Sequence, residues 1–323
     1  MNNLLLQELK SGLKINPELV SHSLEKFIQE CTNKLEREGA ILGLSGGIDS
    51  AVTTILCQRA LGAERVLTLI MPEKESKKEH LEDALNFARA LNIETRVVDI
   101  TSYLEELGVY EIFSLSKLPS WGGIKEAIIK KAYQFYGRKT GQLPFLDSLS
   151  GFKNKEYNSY LKKGNAYYRI KHRLRMILLY LYAELENRLV VGTANKTEYR
   201  IGYFVKHGCD DATDIMPLLN LYKTQIYELA SYLKIPSAII RKPPSPDLIP
   251  GFTDEEVIGI PYEKLDLILF ARDKGWGIQD IVKTLNINKE IIVYIESLME
   301  KSEHMRKVFI PEDYGKIENG CKK

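Results

Sequence analysis

An apolar run, Ala40-Ile41-Leu42-Gly43-Leu44, passes directly into Ser45-Gly46-Gly47-Ile48-Asp49-Ser50, and a helical pattern begins at Ala51. A buried strand that ends in a glycine loop and restarts as a helix leaves few folds open. The glycines let the backbone curl until successive N–H groups point inward, and the helix start adds partial positive charge, so the loop reads as an anion site. The hydroxyls of Ser45 and Ser50 add donors. Asp49 is out of place beside an anion unless Mg²⁺ bridges its carboxylate to phosphate. The Walker A loop needs Lys directly before its last Ser or Thr, where this chain has Asp49, and the dinucleotide pattern G-x-G-x-x-G is absent.

The surrounding periodicity gives the fold class. Leu24, Phe27, Ile28, Cys31 and Leu35 share one helical stripe, and Leu81, Ala84, Leu85, Ala88 and Leu91 another. Strands are expected at 66–70, 95–100 and 189–192. This βαβαβ order predicts an α/β protein with a parallel sheet, right-handed crossovers and ligands at the carboxyl ends of the strands, where Ser45 and Met71 lie. Residues 104–163 break the pattern and read as a lid, an interface element or a collar round the substrate, with a helix near 124–136. A long helix is expected over 167–185, its centre MILLYLY apolar on every side and therefore deeply buried. A further helix is expected over 223–233. Residues 243–250 read as a rigid loop, and helices at 262–274, 278–285 and 289–301 close the chain. The last pair has the spacing of a DNA-binding helix-turn-helix, but its second helix is apolar and acidic, which points to packing or a dimer contact.

Bulk composition excludes several function classes. At 44% apolar and 27% charged residues the chain is ordinary for a globular protein, and a formal charge of +2 gives no basis for nucleic-acid binding. Cys31, Cys57, Cys209 and Cys321 form no CxxC pair, which argues against a zinc ribbon, an iron–sulfur cluster and a disulfide scaffold and fits reduced thiols in the cytoplasm. The start MNNLLLQELK has no signal-peptide pattern, and no apolar run is long enough to span a bilayer, so no membrane partner is expected.

A second constellation follows the fourth strand, Gly192-Thr193-Ala194-Asn195-Lys196-Thr197-Glu198. Glu198 can supply a second metal carboxylate opposite the glycine loop, and Thr193 can reach a phosphate or ribose. Further motifs are Gly164-Asn165, Arg173-Leu174-Arg175-Met176, Gly202-Tyr203-Phe204-Val205-Lys206, Asp214-Ile215-Met216-Pro217, Leu221-Tyr222-Lys223-Thr224-Gln225, Lys242-Pro243-Pro244-Ser245 and Pro250-Gly251-Phe252-Thr253-Asp254-Glu255. The SGGxDS loop resembles the PP-loop of the ATP pyrophosphatases. In order, over most of residues 20–306, the motifs together resemble the NAD synthetases, of the type without a fused glutaminase domain.

The resemblance implies a Rossmann-like adenine nucleotide alpha hydrolase (PP-loop) fold with C-terminal helices, as one catalytic domain over 1–323. It implies amidation of deamido-NAD (nicotinic acid adenine dinucleotide) to NAD through an acyl-adenylate, with release of AMP and pyrophosphate and ammonia as nitrogen donor. A related amide ligase acting on another carboxylate is the alternative. By resemblance, Gly43, Leu44, Ser45, Gly46, Gly47, Ile48, Asp49, Ser50, Met71, Thr193, Lys223 and Ser245 bind ATP, Asp49 and Lys223 act in catalysis, and Asp49 and Glu198 hold Mg²⁺. Arg173, Lys206, Asp214, His304 and Met305 fall at the family's deamido-NAD contacts. A homodimer is implied, with the acceptor site near the interface. Only 44 residues precede Ser45, too few for a fused glutaminase, so ammonia is expected free or from a separate glutaminase.

Three departures lie on the acceptor side. The stretch between Ile100 and Gly164 is longer than the family needs. The family's Gly-Asp-Gly-Gly loop becomes Gly208-Cys209-Asp210-Asp211-Ala212-Thr213. Met305 replaces the Lys of a His-Lys pair, so Met305→Lys is expected to restore a cation beside the ligand.

Overall fold

A computed structural model describes residues 2–112, 124–149, 158–245 and 251–311. Four parallel strands form one sheet: β1 (Gly39–Gly43), β2 (Val66–Ile70), β3 (Glu94–Val97) and β4 (Arg188–Val190), in the order β3-β2-β1-β4. Ala40 pairs with Val66 on one side of β1, and Gly39 with Arg188 on the other. The expected parallel sheet is therefore present. β3 stops short of residue 100 because it is the sheet edge, half exposed, and the chain turns there into the helix Thr101–Glu106. Val98 N and Ile100 N still donate to the carbonyls of Ile70 and Pro72.

Side chains alternate across β1 and face two cores. Ala40 and Leu42 pack with Ile28, Val52 and Leu56 beneath the helices Pro17–Lys34 and Ile48–Leu61. Ile41 packs on the opposite face with Leu67, Leu69, Val190 and Leu179 of the helix Asn158–Leu185. A strand buried on both faces reads as an unbroken apolar run, as 40–44 does. A buried polar network clamps the long helix to the chain after β2: Lys171 Nζ lies 2.9 Å from Glu73 Oε1 and 3.0 Å from Glu75 Oε2.

That long helix begins earlier than the apolar pattern indicates, and its centre is not buried all round. Leu178 and Leu179 are covered, but Ile177, Leu181 and Leu185 are 56%, 50% and 71% exposed. One helical face meets the sheet, and among the described residues nothing covers the stripe of Ile177, Leu181 and Leu185.

A third core joins the two ends of the chain. The helix Asn2–Leu13, which has no clear sequence signature, buries Leu9 and Leu13 against Ile268, Leu269 and Ile281. Ile281, Ile292, Ile295 and Leu298 of the helices Ile278–Leu285 and Lys289–Lys301 lie in the same core, which gives the helix-turn-helix-like pair a packing role. The stretch 104–163 supplies the helices Ile124–Thr140 and Pro144–Leu149 and the first turn of Asn158–Leu185. Part of the 243–250 loop lies outside the described residues. Among the described residues, no helix is long and apolar enough to cross a membrane.

Candidate active site

The strand order fixes where the site lies. After β1 the chain moves outward to β2 and β3, then returns to β4 on the other side of β1, so the carboxyl ends of β1 and β4 flank a topological switch point. The glycine loop leaves β1 there, and Thr193-Ala194-Asn195 leaves β4 there.

Hydrogen bonds hold the loop in shape. Gly47 N donates to Ser45 Oγ (3.2 Å), Ser45 N to Ser50 Oγ (3.3 Å) and Ser50 Oγ to the Gly47 carbonyl (2.9 Å). Gly46 has φ +78°, and a Cβ there would stand 2.6 Å from the His80 carbonyl oxygen, so this position needs glycine for both conformation and space. Gly47 caps the helix Ile48–Leu61, whose first N–H groups have no intrahelical acceptor and open toward the cleft. Lys242 Nζ donates to the Gly46 carbonyl at 3.1 Å and pairs with Asp83 at 2.5 Å.

Asn195 joins the two strand ends. It caps the helix Lys196–Ile201, accepting from Glu198 N at 2.9 Å, and donates from Nδ2 to Asp49 Oδ1 at 3.0 Å. Lys223, the first residue of the helix Lys223–Tyr232, then reaches both carboxylates, 2.6 Å from Asp49 Oδ2 and 2.9 Å from Glu198 Oε1. Thr197 Oγ1 accepts from Lys223 N and donates to the buried Asp266, which fixes that helix start. Tyr262 OH bridges Glu198 Oε1 (3.2 Å) and Asp254 Oδ2 (3.0 Å), and Tyr203 OH donates to Asp254 Oδ1 (3.0 Å).

Two carboxylates thus hold one ammonium that is almost out of water, and a third, Asp254, is tied to them through Tyr262. Burial pushes Glu198 above the ordinary carboxylate range; Lys223 opposes that shift, and Asp49 and Asp254 add to it. Burial raises Asp254 too. Burial by itself would lower the Lys223 pKa, but Asp49, Glu198 and Asp254 outweigh it and hold the amine firmly protonated. The excess of buried anionic oxygen suits a hard divalent cation. Asp49 and Glu198 fit as ligands for Mg²⁺.

The cleft has a volume of about 1110 Å³. That exceeds the ~300–1,000 Å³ of a site for a single small ligand. Gly43, Leu44, Ser45, Gly47, Ile48, Asp49, Ser50, Met71, Thr193, Glu198, Lys223 and Ser245 all line it, and Gly46 backs it. The far wall comes from residues that the sequence did not single out, among them Tyr133, Phe145, Tyr168 and Arg169.

The expected acceptor residues behave differently. Arg169, His172 and Arg175, at helical spacing i, i+3 and i+6, face the cleft, whereas Arg173 is turned away with its guanidinium against the Lys206 carbonyl. Lys206 Nζ donates to the carbonyls of His304 and Lys307, and His304 is exposed. Asp214 accepts from Val190 N at 2.8 Å and from Tyr180 OH at 3.2 Å. Met305 requires a correction: its side chain is 3% exposed and packs in the C-terminal core, so it faces no ligand from within this chain.

Asn195, Asp254, Tyr262 and Lys242, with Arg169, are among the polar site residues missed from sequence. Asn195 and Asp254 stand inside quoted motifs, each at or beside a helix cap, but nothing local separates a cap from a ligand holder.

Comparison with known proteins agrees with this geometry. The NAD synthase family model matches residues 20–114 and 129–309. The NH(3)-dependent NAD(+) synthetase of Thermotoga maritima is 41% identical over 288 residues, covering 89% of this chain and 97% of the relative. The solved NMN synthetase of Francisella tularensis superposes with a TM-score of 0.67 at 28% identity, over 93% of this chain and 100% of that one. The NH3-dependent NAD synthetase of Campylobacter jejuni superposes at 0.63 and 29% identity, over 93% and 100%. With the glycine loop, the paired carboxylates and their shared lysine at one switch point, the chain belongs to the NAD synthase family.

Proposed function

We propose that this enzyme makes NAD from deamido-NAD, ATP and ammonia, by adenylating the nicotinate carboxylate and letting ammonia displace AMP. As a member of the NAD synthase family it is a ligase, and ammonia-dependent NAD synthesis is the activity named for its relatives. The observation that carries the reading is the convergence of Asp49, Glu198 and Lys223, from three separate elements, on the mouth of the glycine loop.

A carboxylate is a poor electrophile, and attaching AMP gives it a leaving group. Both reactants are anions. The amides at the start of the helix Ile48–Leu61 and the Lys223 ammonium screen that repulsion and stabilise charge on the phosphates. Asp49 and Glu198 would hold Mg²⁺, which would supply Lewis-acid stabilisation of the phosphates. Asn195 keeps Asp49 in place, and Tyr262 keeps Glu198 in place. Thr193 and Ser245 contact ATP at the strand and loop ends. The aromatic wall of Tyr133, Phe145 and Tyr168 keeps water from the adenylate, so that ammonia is the nucleophile that succeeds. No side chain forms a covalent intermediate.

The acceptor site is completed in a homodimer. Arg173, Ile177 and Leu181 stand at i, i+4 and i+8 along one helix; Ile177 and Leu181 are exposed and Arg173 is half-buried at the end of the row, so a partner over that stripe would come up to Arg173. Cys31, Cys57 and Cys209 stand in no disulfide, which suits a cytoplasmic enzyme; its ammonia is free or comes from a separate glutaminase.

The test is a single incubation with ATP, Mg²⁺, ammonium and deamido-NAD, read by mass spectrometry for NAD, AMP and pyrophosphate. Absence of NAD overturns the reading. A second reading, amidation of the smaller mononucleotide acid to NMN, is favoured by the Francisella neighbour and by the altered 208–213 loop. Offering both acids in competition decides between them.

A further inference from the structure

The loop after Gly208 meets the long helix at His172, and three side chains of different chemistry converge there. His172 Nδ1 lies 2.9 Å from Asp210 Oδ2 and 3.5 Å from Cys209 Sγ, and Cys209 Sγ lies 3.8 Å from Asp210 Oδ1. One oxygen, one nitrogen and the sulfur fall within 4.8 Å of one another, the one such trio of His, Cys, Asp or Glu donors among the described residues. We propose that His172, Cys209 and Asp210 bind a d-block divalent cation of the Zn²⁺ class, sharing no ligand with the Asp49–Glu198 site.

A hydrogen-bonded His–Asp pair would explain Asp210 but not the thiol. Asp210 and Cys209 both approach the same ring nitrogen, which has one proton or one lone pair to give. Nε2, the other nitrogen, is buried without a partner and so does not set the orientation of the ring. A common cation accounts for all three donors. Bonds of about 2.0–2.3 Å in tetrahedral geometry separate ligand atoms by roughly 3.3–3.8 Å; both Cys209 Sγ spacings fall in that range, and the 2.9 Å between His172 Nδ1 and Asp210 Oδ2 would have to open by a few tenths of an ångström.

The donor set also selects the metal. Thiolate and imidazole favour Zn²⁺ and its neighbours over Mg²⁺ or Ca²⁺, and a coordinating thiol gives up its proton to the metal. Thiolate and carboxylate together neutralise a dication. The loop is placed before any metal arrives: Cys209 N donates to the His172 carbonyl at 3.2 Å, and a Cβ on Gly208 would lie 3.0 Å from His172 Cβ. All three residues line the cleft. Three protein ligands leave a fourth position, which a closed structural site would fill with another side chain and which here opens toward the cleft for water or a small ligand. The metal would pin the loop that departs from the family pattern onto the wall that carries Arg169 and Arg175.

Co²⁺ titration of the full-length protein, with Mg²⁺ in excess to occupy hard-oxygen sites, tests the proposal. One Co²⁺ per chain should bind and give the near-ultraviolet absorption of a thiolate–Co²⁺ bond, and stoichiometric Zn²⁺ should displace it. Cys209→Ala should abolish that band, and His172→Gln should weaken Co²⁺ binding by about 100-fold or more. Asp49→Asn should leave the band intact. A wild type without the thiolate band overturns the proposal whether or not the variants fold, and so does a band that survives in Cys209→Ala.

Discussion

Lys223 Nζ lies 2.6 Å from Asp49 Oδ2, although the two residues are 174 positions apart in the chain. The contact joins the start of one helix to the glycine loop at the start of another, and Glu198 completes it from the helix Lys196–Ile201 that follows β4. An ammonium in this position holds two carboxylates together; under the proposed function it would turn to the phosphates of bound ATP.

Removing either carboxylate should therefore damage turnover more than folding. Asp49→Asn and Glu198→Gln should each lower kcat/KM by about 100-fold or more, the size of losing one preorganised electrostatic contact, with the melting temperature nearly unchanged. Steady-state rates across a Mg²⁺ titration check this. Near-normal rates at saturating Mg²⁺ would remove that residue from the metal site.

The nucleotide products should be AMP and pyrophosphate in equal amounts with the amide. The glycine loop has Asp49 where a Walker lysine would stand. Chromatography of one turnover measures this, and ADP as the main product would refute the assignment.

Met305→Lys should destabilise the protein instead of improving ligand binding. The Met305 side chain lies in the core with Ile201, Ile295 and Leu298. A buried, unpaired ammonium there should cost about 2–4 kcal/mol, read as a lower urea midpoint at unchanged slope. Unchanged stability with tighter acceptor binding would restore the expectation drawn from sequence.

Asp273 should give an acid-sensitive contribution to stability. Burial raises its pKa, but hydrogen bonds from Lys196, Tyr222 and Arg200 outweigh burial and hold it below the usual value. A depressed carboxylate stabilises the fold at pH values above its unfolded pKa and loses that effect as pH falls through the folded one. Asp273→Asn should thus cost about 1 kcal/mol at pH 7, since the pair is partly solvated, and the difference from wild type should fade as pH falls through the depressed folded pKa. Denaturation curves at several pH values would show it; a difference independent of pH would assign the effect to packing.

Leu181→Glu should turn a dimer into a monomer. Ile177, Leu181 and Leu185 leave an apolar stripe uncovered on the long helix, and a charge at its centre would have to be desolvated in any interface. Light scattering at micromolar protein reports the mass. A wild-type monomer would end the dimer proposal.

Local pattern was enough for the sheet and the phosphate loop because both are local in sequence. Strand periodicity, the turn chemistry of Gly46-Gly47 and the first turn of a helix are written within about a dozen residues. The same holds for Glu198, which follows a strand end that the pattern marks. Asn195 and Asp254 were out of reach. As single residues they read as a helix cap and a first-turn acid, and only packing carries them to Asp49 and Glu198.

The long helix shows the limit from the other side. The run MILLYLY is apolar all round and reads as deeply buried, yet among the described residues only the face bearing Leu178 and Leu179 is covered. Helical phase also separates Arg173 from Arg169 and Arg175: the sequence supplies three arginines, and the docking of the helix on β1 and β4 decides which of them meet the cleft. Likewise His172 and Cys209 are 37 positions apart and match no metal motif. Sequence determined the strands and the glycine loop that follows the first of them, since those depend on backbone geometry and short-range period. Which charges share one space was decided by tertiary structure, because Coulomb and coordination energies depend on distance in space, which chain order does not encode.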